Sequence, residues 1–314
     1  MGGRARIDIV IPTRDRPAKL EALLGDLEAQ TLPPASTVVV DDSRGGGPVM
    51  SDHPELSLRT VHLPERGFIT RAKNRGAREG TSEFLAFIDD DNRVPPNLLE
   101  SLARSLADRP RRVAVMPGVL YHARPDLVWV YAAPFRPDRW EFELIGRNRP
   151  RDPRWEGRIL GTDALPNLSL VRREAFANVG GFDESFPVNS SGDLCQRLKR
   201  AGGEVVADTG VLTRHDVEPP GSRAFWGAHS VPDPGRTRYE VADWFRFHRR
   251  WGPRPRGFSA LATYHALDFL VPLLIAMMVR PSPSLRSLLG AIGRGYLEGL
   301  VGPFVDAPTA PFRA

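Results

Sequence analysis

The sequence predicts an α/β fold, a mostly parallel sheet flanked by helices, followed by a helical C-terminal region. Three observations predict it. Short β-branched runs alternate with stretches of helical period, polar and acidic residues stand directly after those runs, and the pattern turns helical and basic beyond about residue 216.

In chain order, "IDIVIP" (Ile7 to Pro12) is a buried, parallel-type strand stopped by proline. "PAKLEALLGDLEAQ" sets Leu20, Leu23, Leu24 and Leu27 at helical spacing, with Pro17 in the first turn. "STVVVDDS" is a second strand ending in acids, and "LRTVHL" is a third. "ITRAKNRGAREG" reads as a helix closed by Gly80, and "EFLAFIDDD" as a fourth strand. From Pro134 to Arg158 the chain is rich in Arg, Pro and Trp with little period, which predicts a long loop over the sheet edge. Order returns in "PNLSLVRREAFANVGGFDESF", read as strand, helix and turn. "DLCQRLKRAGG" is a helix ending on glycine, and "GEVVADTGVLTRHD" has strand character ending on His215. A soft boundary at about residue 216 divides a domain over 1–215 from a basic helical region over 216–314, which includes Arg246, Arg249, Arg250, Arg254 and Arg256.

Composition limits the function classes. At 314 residues, 41% hydrophobic and 26% charged, the chain can bury a core and fill one large or two small domains. Lys and Arg number 43 against 38 acids, a net charge of +5, and nearly all of the cations are arginine, which suits phosphate and carboxylate recognition. A nucleotide or a phospholipid surface is therefore the expected partner. Nucleic acid is not, because the arginine-rich segment has acids nearby and no recognition module.

The single cysteine, Cys195, leaves no internal disulfide framework, and Met1 to Arg6 leads straight into a strand rather than a leader, so a cytoplasmic setting is expected. "FLVPLLIAMMV" (Phe269 to Val279) is about half of a spanning length and contains Pro272, so it reads as a buried or interfacial helix. With the basic region around it, it is also the candidate for peripheral contact at the inner face of a membrane.

Open sheets of this kind bind ligands beyond the carboxyl ends of their strands. Thr13 and Arg14, Asp41 and Asp42, and Asp89 to Asp91 all fall there, so three separate pieces of sequence point at one crevice. The triple aspartate repels itself unless a cation is near. By the i, i+2 alternation of a strand end, Asp89 and Asp91 converge while Asp90 points away as a bystander. Hard oxygen donors favour Mg²⁺ or Mn²⁺ with positions left open for substrate phosphates, although acids that merely cap the turn would look the same. No G-x-G-x-x-G or Walker A pattern competes for the nucleotide, which disfavours a dehydrogenase or a P-loop ATPase.

These pieces in this order resemble the family 2 glycosyltransferases with the GT-A fold. The resemblance runs from about Ile7 to His215, through "DIVIPTRDRP", "VVVDDS", "RAKNRGAREGTSEFLAFIDDDNRVPPNLL", "NLSLVRREAFANVGGFDESF", "DLCQRLKRAGG" and "TRH". It implies a Rossmann-like sheet and transfer of a sugar from a nucleoside-diphosphate sugar, with UDP or dTDP first in line, to a hydroxyl acceptor. The acceptor would be a small molecule or a lipid-linked glycan. Metal assistance by Mn²⁺ or Mg²⁺ and inversion at the anomeric carbon are implied as well.

By position, the resemblance sets Pro12, Thr13 and Arg14 against the nucleotide and Asp41 at the base. Arg71 and Asn74 approach the nucleotide, Asp89 serves the ribose side, and Asp91 with His215 holds the metal. Asp183 and Glu184 fall on the acceptor-side turn. Trp140 and Trp155 are candidates for stacking on a sugar or aromatic acceptor, or else pin their loop to the core.

One departure bears on catalysis. The usual Glu-Asp pair before the Asp-Leu helix is replaced by Ser190 and Ser191 in "VNSSGDL", and a serine is no general base at neutral pH. Asp193 is then the tentative base, or the base comes from elsewhere and Asp193 is a charge favoured by the helix N-terminus. A silent sugar-nucleotide-binding or scaffold protein is the alternative reading.

Overall fold

The structure, a computed structural model of the chain, describes residues 5–44, 53–107, 109–139, 141–219, 234–252, 283–301 and 312. Trp140, Arg254, Arg256 and the Phe269 to Val279 run lie outside the described residues.

The N-terminal half alternates as the sequence predicts: β1 (Ile7–Thr13), α1 (Pro17–Glu28), β2 (Ser36–Asp41), β3 (Leu58–His62), α2 (Phe68–Ala77), β4 (Phe84–Ile88), β5 (Asn92–Arg93) and α3 (Leu98–Ala107). Then come β6 (Arg112–Tyr121), β7 (Val128–Val130), a small hairpin of β8 (Phe135–Arg136) and β9 (Glu141–Phe142), β10 (Ile159–Gly161), β11 (Leu168–Arg172), α4 (Arg173–Asn178), α5 (Ser190–Arg200) and β12 (Glu204–His215). Two long helices follow, α6 (Pro234–Trp251) and α7 (Pro283–Val301). Among the described residues no helix is long and apolar enough to cross a membrane.

The main sheet runs β10-β12-β6-β11-β4-β1-β2-β3, with β5 added on β12 and β7 on β6. Along that path only β10 and β11 run against the rest. β1 continues through Pro12 to Thr13 rather than stopping at the proline. Its ladder to β4 ends at Val10 opposite Phe87, so the missing Pro12 N–H costs no bond on that side.

Strand alternation sorts the core into two layers. Ile7, Ile9 and Ile11 face α1 and α3, meeting Leu20, Leu23, Leu24, Leu27 and Leu102. Val10, Val38 and Val40 face α2, α4 and α5, with Ala72, Phe176 and Leu194. Each large side chain so buried contributes about 1.5–3 kcal/mol. Gly76 is required where α2 crosses the sheet, since a Cβ there would overlap the Val10 and Val40 side chains.

The C-terminal helices form a pair. Val241, Phe245, Leu288 and Ile292 make its core, and α6 is tied to α5 by Asp243, whose Oδ2 accepts the backbone N–H groups of Val188 and Asn189 at 2.9 Å each.

Candidate functional site

Because β1, β2, β4, β6 and β12 share a direction, their last residues fall on one edge, where Thr13, Asp41, the Asp89–Asp91 turn, Tyr121 and His215 meet. The acid turn is built rather than loose. Asp89 N donates to Asn167 O at 3.0 Å, and Asn92 and Asn167 exchange amide hydrogen bonds of 3.0 and 2.8 Å. Asp216 N donates to Asp91 O at 2.8 Å, joining the turn to the end of β12.

The three carboxylates take different partners. Asp89 pairs with Lys73 Nζ at 2.8 Å. Asp90 accepts from Thr13 Oγ1 at 2.7 Å and meets Arg16 Nη2 at 3.1 Å. Asp91 accepts from Arg16 Nη1 at 2.7 Å and lies 3.3 Å from His215 Nε2.

Asp90 is therefore no bystander: its side chain is fully buried, and one guanidinium bridges it to Asp91. The alternation that set it aside holds inside a strand, but β4 ends at Ile88 and the acids follow it in a turn. Burial pushes Asp90 up to about 6 against the pull of Arg16 and Thr13. Burial would raise Asp91 too, but the His215 hydrogen bond and charge, then Arg16 and Lys19, hold it well below the ordinary carboxylate range. Adjacent carboxyls with proton affinities pushed apart mark a site able to carry different protonation states side by side.

A divalent ion fits part of this arrangement. Asp91 Oδ1 and His215 Nε2, 3.3 Å apart, are close to the separation of neighbouring ligands on one ion with bonds of about 2.1 Å. Among the described residues no three His, Cys, Asp or Glu side chains converge as a ready cage. Two protein ligands with the remaining positions left to phosphate oxygens and water is a usual arrangement for Mg²⁺.

The other expected residues divide. Asp41 is buried, accepting from Ser43 N at 3.0 Å with His62 Nδ1 at 2.9 Å, and Pro12 and Thr13 lie beside it on β1. Arg14 is partly exposed, 3.4 Å from Asp15. Arg71 points to solvent, while two residues on Lys73 faces the acid turn. Asn74 is a latch rather than a lining residue. Its amide donates to Phe182 O at 2.9 Å and Glu184 Oε1 at 3.0 Å and accepts from Phe182 N at 3.0 Å. Trp155 stands at the β10 edge, its carbonyl accepting from Thr209 Oγ1 well upstream of His215.

Asp193 is corrected. It is fully buried, accepting from Arg197 Nε at 2.8 Å, Arg250 Nη1 at 2.7 Å and Trp251 Nε1 at 2.8 Å. Both oxygens are engaged by these donors, so Asp193 clamps α5 to α6 rather than standing as a free carboxylate. Asp183 joins the same clamp through Arg250 Nη1 at 2.7 Å, leaving Glu184 exposed beside it.

Sequence reasoning passed over Arg16, Lys73 and Trp129. Arg16 immediately precedes the proline that opens α1, and Lys73 lies two residues after Arg71, so both were legible as cations flanking named positions. Trp129 carries no local signal. It enters because β7 pairs with β6 and sets its ring edge-on to His215, 4.7 Å between centroids.

Residues 8–180 match the family described as Glycosyl transferase family 2. A pre-mycofactocin glycosyltransferase of Mycobacterium tuberculosis (strain H37Rv) is 27% identical over 241 residues, which cover 72% of this chain and 47% of that protein. The chain thus spans about half the length of that relative. The glucosyl-dolichyl phosphate glucuronosyltransferase of Haloferax volcanii is 25% identical over 299 residues, 88% of this chain and 89% of that one. Among solved structures, a mannosyltransferase from Pyrobaculum calidifontis in complex with GDP-Man and Mn²⁺ has a TM-score of 0.54 at 17% identity, covering 95% of this chain and 88% of that one. Residues 1–349 of TarS from S. aureus, in complex with UDP-GlcNAc, give 0.51 at 13% identity, covering 93% and 81%. At such identities the structural likeness speaks for the fold.

Proposed function

The chain belongs to glycosyl transferase family 2, and on that premise we propose that it moves a sugar from a nucleoside-diphosphate sugar to a hydroxyl acceptor with metal assistance and inversion. The observation that carries this reading is the acid turn at the carboxyl edge, with Asp91 and His215 3.3 Å apart beside Arg16 and Lys73.

In this reading Asp41, with Pro12 and Thr13, meets the nucleoside, Asp89 meets the ribose side, and Asp91 with His215 holds Mn²⁺ or Mg²⁺. The ion, when bound, neutralises charge on the departing diphosphate. Arg16 and Lys73 sit close enough to the carboxylates to add fixed positive charge at the same place, where preorganised charge is worth most. The acceptor's proton leaves to a group other than Asp193. The basic helices after residue 215 are a contact surface for acceptor, second copy or membrane.

Thermal unfolding of the full chain with UDP, dTDP and GDP, each with and without Mn²⁺, tests this. A nucleoside diphosphate is expected to stabilise the wild type only with metal, and Asp91→Ala to remove that shift together with sugar transfer. Transfer by Asp91→Ala at the wild-type rate would sink the proposal. The saturation of Asp193 favours a second reading, a donor-binding protein without transfer. Donor binding with neither transfer nor hydrolysis over a broad acceptor panel would select it.

A further inference from the structure

Among the described residues, one cation near the acid turn has no counter-charge. Arg147 is half-buried and makes no ion pair among the described residues, whereas Arg151 and Arg154, further along the same loop, hold Glu156 at 2.6 Å and Asp152 at 2.7 Å in solvent. Its guanidinium lies 4.7 Å over the Trp129 ring, and its Nη1 makes a long 3.4 Å bond to Trp129 O. Burial pushes the Arg147 guanidinium below its ordinary range. A desolvated charge kept without a partner is costly unless something else supplies the anion.

The position is held in place from several sides. Tyr131 N donates to Ile145 O and Ile145 N to Ala132 O, while Asn148 N donates to Val128 O and Val128 N to Arg149 O, all at 2.9 Å. Asn148 sits at φ +59, locked by the Tyr121 hydroxyl donating to its Oδ1 at 2.6 Å. Gly146, at φ +78, leaves no room for a Cβ against Tyr131 and Val128. Arg147 is thus presented by a preorganised turn, not by a mobile loop tip.

Its place relative to the acid turn is also fixed. Trp129 stands edge-on to His215 at 4.7 Å, so the guanidinium is no further from that imidazole than two such spacings. Among the described residues Trp129 Nε1 is itself buried without an acceptor, a second donor beside the cation. In the sheet, Asp41 on β2 lies on one side of β4, which carries the acid turn, whereas β11, then β6 with Trp129 on its partner β7, then β12 with His215 lie on the other. If the nucleoside is at Asp41, Arg147 faces the opposite end of the donor, where the transferred sugar meets the acceptor.

Resting on the nucleotide-sugar reading above, we propose that Arg147, backed by Trp129, is a specificity-determining site for an oxyanion, a carboxylate or phosphate carried by the transferred sugar or the acceptor. The substrate pair of this chain is therefore acidic at the end remote from the nucleoside.

Binding by the full chain in Mn²⁺ decides it. The probes are UDP and GDP alone, UDP-glucose against UDP-glucuronate, and farnesol against farnesyl phosphate. The wild type is expected to favour the acid over its neutral counterpart in one of the two pairs by about tenfold. Arg147→Gln should erase that preference while nucleoside diphosphate binding changes by less than about twofold, and Arg147→Lys, which keeps charge but not planar stacking, should retain part of it. Preference in the uronate pair assigns the anion to the sugar, and preference in the phosphate pair assigns it to the acceptor. A wild type with no preference in either pair overturns the proposal, as does a preference that survives in Arg147→Gln. Equal loss of bare UDP binding in that variant also overturns it, since Arg147 would then serve the diphosphate. A wild type that binds no nucleoside diphosphate overturns the nucleotide reading and this assignment together.

Discussion

Two groups of aspartates stand in contrast. At the carboxyl edge, Asp89, Asp90 and Asp91 share Lys73, Arg16 and His215, and the group is half open: the Asp89 side chain keeps 21% of its exposure and that of Arg16 42%. Between α5 and α6, Asp183 and Asp193 share Arg197, Arg250 and Trp251, and no ion-paired side chain there exceeds 7% exposure. A dry group with both oxygens of Asp193 taken has one arrangement and holds helices together. A half-open group, one of whose cations, Arg16, is exposed to solvent, can exchange a protein cation for a ligand, and it alone sits where five strands end.

The sharpest way to break the contrast is to remove one carboxylate from each group. Asp91→Ala should cut sugar transfer by at least about 10²-fold, as loss of one charge-stabilising group does elsewhere, with little change in the urea midpoint. Asp193→Ala should do the reverse. Leaving Arg197 buried without a counter-charge, and Arg250 with Asp183 alone, costs about 3–5 kcal/mol of stability, read by urea unfolding. If Asp193→Asn folds like the wild type and loses transfer selectively, the two groups are not of different kinds.

A smaller effect comes from pH. Burial pushes Asp243 up to about 7, against the two backbone N–H groups and Arg246 that favour its charge. Its folded value lies above the ordinary 3.8, so the fold binds a proton that the unfolded chain has released. Stability from this group is full below about pH 4 and is lost as pH rises towards 7. The tie between α6 and α5 should therefore be weaker at pH 8 than at pH 5, by on the order of 2 kcal/mol. Asp243→Asn, which keeps an acceptor oxygen for the Val188 and Asn189 amides, should flatten that slope in unfolding measured across pH. The smallest effect is expected at Trp155, away from both groups: Trp155→Ala should change stability by less than about 0.5 kcal/mol and leave transfer rates intact.

Much of the first half was legible, because β-branched runs and the Leu20 to Leu27 stripe report burial directly. β6 was not. Pro117 and Gly118 punctuate it like a turn, yet the strand continues because β12 bulges between Asp208 and Leu212, opposite those two residues. A Cβ on Gly118 would press into Leu212. The expected loop over 134–158 contains the β8–β9 hairpin, whose Phe135 and Phe142 pack on Phe247 of α6. Asp41, Asp89 and Asp91 could be placed on one edge from strand order alone, and His215 through the family resemblance. The burial of Asp90 and the clamp on Asp193 could not, since their partners lie 74 or more and 57 or more residues away in the chain for Arg16 and for Arg250 and Trp251 respectively. Side-chain phase misled once more at Arg71, where a step of two positions on α2 exchanges solvent for Asp89.

The reversal of β11 has a consequence for how the acid turn is assembled. A strand running with its neighbours offers the carboxyl edge only its last residue, but β11 offers its beginning, because Leu168 pairs with Ile88 at that edge. Asn167, just before it, arrives already facing Asn92. The turn that carries the aspartates is thus fastened by a segment entering the sheet there, and β11 cannot slip in register without pulling that fastening apart.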